Sequence, residues 1–105
     1  MRFVETPILT RRLQNLLDDE EYRGLQLALV FRPEQRLLIP GSGGLRKLRW
    51  RQKGKGKRGG CRVIYYWDEK QETFYMLLVY VKGRQEDLTP AQVKELSRLV
   101  QEEFK

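Results

Sequence analysis

The chain has 105 residues, with 21 Lys and Arg against 14 Asp and Glu and no histidine, for a formal charge of +7. That length, with 40% apolar residues, predicts one domain over 1–105 around a single core. The composition excludes catalysis or metal ligation by histidine, an internal disulfide or zinc site at the one cysteine, Cys61, and a membrane span, since the longest apolar run is Phe74 to Val81.

Arg2 to Glu5 reads as a short strand with Phe3 turned inward. Thr6-Pro7 is a helix start, with Thr6 as N-cap and Pro7 at the first position, where a missing N–H costs nothing. Ile8, Leu9, Leu13, Leu16 and Leu17 follow at helical spacing. Asp18 to Glu21 marks a break and then the acidic first turn of a second helix, which the macrodipole favours. Tyr22, Leu25, Leu29 and Val30 form its apolar face, and it should end before Arg32-Pro33. A connecting segment over 33–44 is expected to be anchored by Leu37-Leu38-Ile39 and to close with the loop Pro40 to Gly44.

Leu45 to Trp50, Cys61 to Trp67 and Thr73 to Val81 read as three strands. The second is rich in β-branched and aromatic residues, and the third is apolar enough for burial on both faces. Lys53 to Gly60 connects the first two without side chains suited to packing, and Asp68 to Glu72 makes the next turn. Thr89-Pro90-Ala91-Gln92 opens a last helix with an N-cap, a first-position proline and a capping-box Gln. Val93, Leu96, Leu99, Val100 and Phe104 are its apolar face. The predicted fold is α+β: a small antiparallel sheet with two N-terminal helices and one C-terminal helix, in the order βααβββα. No apolar stretch of signal-peptide length occurs at Met1 to Glu5, so a cytoplasmic location is expected.

Charge is segregated. Residues 1–40 are neutral, 41–84 carry +9 and 85–105 carry −2. Nine Lys and Arg occur within Arg46–Arg62, with no acid among them: Arg46, Lys47, Arg49, Arg51, Lys53, Lys55, Lys57, Arg58 and Arg62. Such a block repels itself, and a polyanion is the natural compensating partner. With Leu48 inward, strand alternation turns Lys47 and Arg49 to the other side, about 7 Å apart. Arg62 opens the following strand, and Lys82 follows the third. Lys47, Arg49, Arg62 and Lys82 could therefore share one open face, near Tyr65, Tyr66 or Tyr80, although tyrosines this dense on strands are mostly core. A solvated basic loop remains the plainer alternative.

Neither glycine-rich stretch has the ending or the strand-to-helix context of a P-loop, and no second acidic cluster completes a metal site. Catalysis, if present, must run on Lys, Arg and Tyr. One reaction suits that kit: RNA strand scission by attack of the substrate's own 2′-OH. Clustered cations would stabilise the phosphorane, and a lysine among them is a candidate base. No cofactor is expected.

The string Pro40 to Trp50, followed by Lys53 to Tyr66, resembles the HigB branch of the RelE-like toxins, and Phe3 to Ile8, Tyr80-Val81-Lys82 and Asp87-Leu88-Thr89 agree with it. The resemblance covers nearly the whole chain. It implies a RelE-like fold and the toxin of a bacterial toxin–antitoxin pair, an mRNA interferase cleaving codons in the ribosomal A site. It also implies a cognate antitoxin, often of helix-turn-helix type, through which alone operator DNA would be met. RelE uses two alternating strand lysines, an arginine opening the next strand, and a late arginine and tyrosine. Lys47 and Arg49 match the alternating pair, with Arg in place of one Lys, and Arg62 matches the strand-opening arginine. Gly83 and Thr89 stand where the late pair would be, leaving Lys82, Arg84 and Tyr80 as substitutes. The catalytic set so implied is Arg62, Lys82, Lys47, Arg49 and Tyr80. Arg46, Arg51, Lys53, Lys55, Lys57, Arg58 and Arg84 would bind RNA or the ribosome. Two other readings stay open: a non-catalytic RNA- or ribosome-binding module of the same fold, and a DNA-binding regulator, for which no recognition helix speaks.

Overall fold

The computed structural model describes residues 1–34, 38–51, 60–81, 83 and 88–104, the last of these by its backbone. The elements are β1 (Arg2–Glu5), α1 (Pro7–Leu16), α2 (Asp19–Phe31), β2 (Arg46–Trp50), β3 (Cys61–Asp68), β4 (Thr73–Val81) and α3 (Pro90–Leu99), which runs into a π-helical turn, Val100–Phe104. The order is the expected βααβββα. The four strands form one sheet in the order β1-β4-β3-β2. β2, β3 and β4 are antiparallel, but β1 lies parallel to β4 (Arg2 opposite Thr73, Glu5 opposite Met76), so the sheet is mixed.

Each helix starts where its cap chemistry requires. Thr6 accepts the Leu9 amide at 3.1 Å, with Pro7 behind it. Asp18 and Glu21 close a reciprocal capping box, as do Thr89 and Gln92. Each such cap contributes about 1 kcal/mol. Leu9 and Leu13 of α1, then Leu17, follow at four-residue spacing and pack with Leu25 and Leu29 of α2 on one face of the sheet. That face presents Leu48, Cys61, Val63, Tyr65, Phe74, Met76 and Val79. The opposite face presents Leu45, Ile64, Tyr75, Leu77, Leu78 and Tyr80, against which Leu96 and Leu99 of α3 and Val100 pack. β4 is thus buried on both faces, as its composition implied. A register shift pairs Ile64 with Leu78 but Tyr65 with Met76, so Leu77 is the extra residue of a bulge and joins Leu78 on one face.

Two expected contacts fail. Val30 points partly to solvent at 38% exposure, because α2 buries only the stripe through Leu25 and Leu29. Leu38 is 54% exposed and bridges Arg46 at the sheet edge, so it does not anchor the connection; Leu37 lies outside the described residues. The anchor is Ile39, packed on the second cluster, together with a polar knot at Ser42. The Ser42 hydroxyl donates to the Ile39 carbonyl at 2.5 Å and accepts the Leu45 amide at 3.0 Å. Among the described residues, no helix is long and apolar enough to cross a membrane.

Candidate functional site

The antiparallel register assembles the site. Arg49 on β2 lies opposite Arg62 on β3, and Arg62 lies opposite Tyr80 on β4. One rung across three strands therefore carries three of the residues singled out above, all on the face that also holds α3. Lys47 is two residues back along β2, opposite Ile64. Arg49 is exposed and Lys47 half-buried, whereas Arg62 is 8% exposed and Tyr80 4%.

Arg62 is the unusual member. Burying a guanidinium is costly unless charge and hydrogen bonds compensate it. Among the described residues its one hydrogen bond is Nη1 donating to the Cys61 carbonyl at 3.4 Å, a long bond, and no carboxylate there pairs with it. Arg62 thus sets a positive charge among Cys61, Val63 and Ile64, the apolar first half of β3.

The remaining candidates separate. Arg46 falls on the face opposite Lys47 and Arg49, since it shares the parity of Leu48. It donates to the Glu34 carbonyl at 3.2 Å and forms an ion pair with the Glu34 carboxylate at 3.4 Å. Strand alternation already carried that signal. Tyr65 is also on that face, buried, its hydroxyl donating to the Pro33 carbonyl at 2.8 Å. Tyr66 is on the rung's face but leans on Tyr75 and on Gly44, where a Cβ would come within 3.0 Å of its ring. Arg51 is exposed just beyond β2. Lys53, Lys55, Lys57, Arg58, Lys82 and Arg84 lie outside the described residues.

Gly60 fixes where the basic connection returns. Its φ of +126° is open to glycine, and a Cβ there would meet the Trp50 carbonyl at 2.9 Å. Arg51 and Gly60 are therefore in close contact, and the segment between them starts and finishes beside the rung. Two features escaped sequence reasoning: the Ser42 knot, hidden in a loop composition, and Arg12 of α1, which reaches the Val79 carbonyl at 3.1 Å.

Chemically, the rung offers two guanidinium groups, a nearby ammonium and a phenol on one face. That set can bind a phosphodiester and stabilise added negative charge on it. No group of three or more His, Cys, Asp or Glu among the described residues could hold a metal ion. A hollow of about 130 Å³ between α1 and α2 is lined by Glu5, Asp18, Asp19 and Tyr22 and is acidic. In it the Tyr22 hydroxyl donates to Glu5 at 2.7 Å, and burial together with that carboxylate pushes the phenol far above its ordinary pKa.

No protein-family model matches the chain. Several solved chains share its fold, and two of them are informative. One is a double arginine-to-alanine variant of the E. coli toxin RelE in the free state, 15% identical over 80% of this chain and 85% of that one, with a TM-score of 0.56. The other is the archaeal RelE–RelB complex of Pyrococcus horikoshii, 24% identical over 80% of this chain and 97% of that one, with a TM-score of 0.51. The fold is RelE-like.

Proposed function

We propose that this protein is the toxin of a toxin–antitoxin pair: a ribosome-dependent, metal-independent endoribonuclease that cleaves mRNA in the A site and so stops translation in the cytoplasm. The observation that carries the reading is Arg62, buried without a carboxylate partner among the described residues, at the centre of the Arg49–Arg62–Tyr80 rung. A RelE-like fold supports it, as does the cation-rich segment that returns at Gly60. In this reading the mRNA 2′-OH attacks the adjacent phosphorus, and a base on the rung's face, with Lys47 and Tyr80 as candidates, takes its proton. Arg62 and Arg49 hold the non-bridging oxygens as the charge on phosphorus rises. The P–O5′ bond then breaks, the leaving 5′-oxygen taking a proton from water, and the products are a 2′,3′-cyclic phosphate and a 5′-hydroxyl. Lys82 stands close in sequence to Tyr80 and is assigned to the same phosphate.

The remaining cations, Arg51, Lys53, Lys55, Lys57, Arg58 and Arg84, are assigned to ribosomal RNA, where each phosphate contact adds affinity and salt dependence. Arg46 is a weaker candidate, because Glu34 already pairs with it. The second neighbour is a complex with RelB, which supports an antitoxin partner here, of helix-turn-helix type on the HigB resemblance.

One observation favours a second reading, a binding module without catalysis. Thr89, at the place of the family's late tyrosine, spends its hydroxyl capping α3. Mapping mRNA 5′ ends in a translating extract, with and without the protein, separates the two. New 5′ ends in codon register, absent when the same RNA is free of ribosomes, are the expected result. Ribosome binding without new ends would leave the binding module, and efficient cutting of naked RNA would overturn ribosome dependence.

A further inference from the structure

β4 is longer than the strand beside it. β1 ends at Glu5 opposite Met76, so from Leu77 to Val81 the β1 side of β4 has no strand neighbour among the described residues. α1 takes over that edge. The Thr6 amide donates to the Met76 carbonyl at 3.1 Å, the Thr6 hydroxyl to the Leu77 carbonyl at 2.8 Å, and Arg12 Nη1 to the Val79 carbonyl at 3.1 Å. Thr6 and Arg12 are about 9 Å apart along a helix axis, and the Leu77 and Val79 carbonyls about 7 Å apart along a strand. A long side chain absorbs the difference. Two polar side chains thus follow the carbonyl spacing that a fifth strand would have met.

The last of these contacts falls beside the site. Val79 precedes Tyr80, the β4 member of the rung. We propose that Arg12 is a positioning residue: by holding the Val79 carbonyl it fixes the end of β4, and with it the placement of Tyr80 against Arg62. α1 packs on the face opposite the rung, so Arg12 acts through the strand and not by touching the phosphate. The inference rests on the cleavage reading above for its functional readout but not for its structural one.

The test compares Arg12→Ala, Arg12→Lys and Arg11→Ala with the unaltered protein. Arg11 is an exposed neighbouring cation and controls for loss of charge. Single-turnover cleavage on saturating programmed ribosomes should fall about five- to tenfold in Arg12→Ala, the scale of a small misplacement. Ribosome affinity should stay within about twofold with an unchanged salt slope, Arg12→Lys should regain most of the rate, and Arg11→Ala should match the unaltered protein. Amide exchange at Tyr80 and Val81 should quicken about tenfold in Arg12→Ala, with Thr73 to Met76 unaffected. A weaker affinity with a salt slope smaller by about one would make Arg12 a phosphate contact and overturn the proposal. Unchanged exchange at Tyr80 would overturn it too. If the unaltered protein cuts nothing on ribosomes, the cleavage reading falls, and the exchange result alone decides whether Arg12 anchors the strand.

Discussion

The two faces of the sheet treat their polar groups differently. On the face covered by α1 and α2, buried or half-buried polar side chains find partners within the chain. Thr6 serves Leu9 and Leu77, the Tyr65 hydroxyl reaches Pro33, Tyr22 reaches Glu5, and Arg46 pairs with Glu34. On the other face Arg62 is 8% exposed, close to the 7% of Leu13, Leu17 and Leu78, yet among the described residues its hydrogen bond is to its neighbour's carbonyl at 3.4 Å alone. The first face is built for stability, which penalises unpaired polar groups. The second keeps a cation that stability alone would not select, and an anionic ligand is what would compensate it.

The largest effect expected from breaking this contrast is on the first face. Phe74 is fully buried, stacked on Phe3 at 4.8 Å and packed on Trp67 at 4.3 Å between ring centroids. Phe74→Ala should cost about 3–5 kcal/mol in urea denaturation through lost burial and the cavity left behind. Below its melting temperature the variant should still cleave at the normal single-turnover rate, since the rung lies on the other face and at the other end of β4.

Arg62→Ala should do the reverse. Cleavage on programmed ribosomes should drop by about 10²-fold or more, the scale of one preorganised electrostatic contact. The urea midpoint should not fall, because a desolvated cation without a carboxylate partner is removed. Arg62→Lys should not restore the rate fully, as an ammonium cannot grip two phosphate oxygens in one plane. A well-folded Arg62→Ala protein with undiminished cleavage would reduce the basic face to a docking surface.

Much of this division was legible in the sequence. Thr6-Pro7, Asp18 to Glu21 and Thr89 to Gln92 announced the helix starts, because capping is a local matter of side-chain length and hydrogen bonding. Strand alternation put Lys47, Arg49 and Arg62 on one face, and applied to Arg46 it would have separated that residue from them. What could not be read was non-local. The parallel pairing of β1 with β4 joins residues some 70 positions apart (Thr6 to Leu77 spans 71), and no local signal specifies which strand β1 meets or in which direction. Nothing in the residues around Arg12 sets it apart from a solvated helix cation, because its partner, the Val79 carbonyl, is supplied by the part of β4 that outruns β1. Leu38 belonged to an apolar triplet whose exposure depends on where the edge strand lies.

The smallest effect sharpens the comparison most, because it concerns adjacent residues on opposite faces. Cys61 precedes Arg62 and is fully buried in the α1–α2 core. Burial pushes its thiol up to about 11 from an ordinary 9.0, with the Arg62 charge offsetting part of the rise. Below pH 9 the thiol is protonated in the folded and unfolded chains alike, and its contribution to stability is fully present. Between about 9 and 11 the unfolded chain loses the proton first, so stability falls by at most about 1.4 kcal/mol per pH unit, and above 11 no more is lost. Cys61→Ala lacks this term. At pH 7 it should be less stable by a packing cost of about 1 kcal/mol, and that gap should close and then reverse in sign as pH rises from 9 to 11, since the thiol's loss over that range is larger than the packing cost. Urea denaturation across that range checks it, and parallel curves for the two proteins would mean the thiol is not shielded. Repeating the pair in an Arg62→Ala background removes the offsetting charge. The window over which the thiol's loss accumulates should then extend to higher pH, so that a change on the rung's face is read by a titration on the core face.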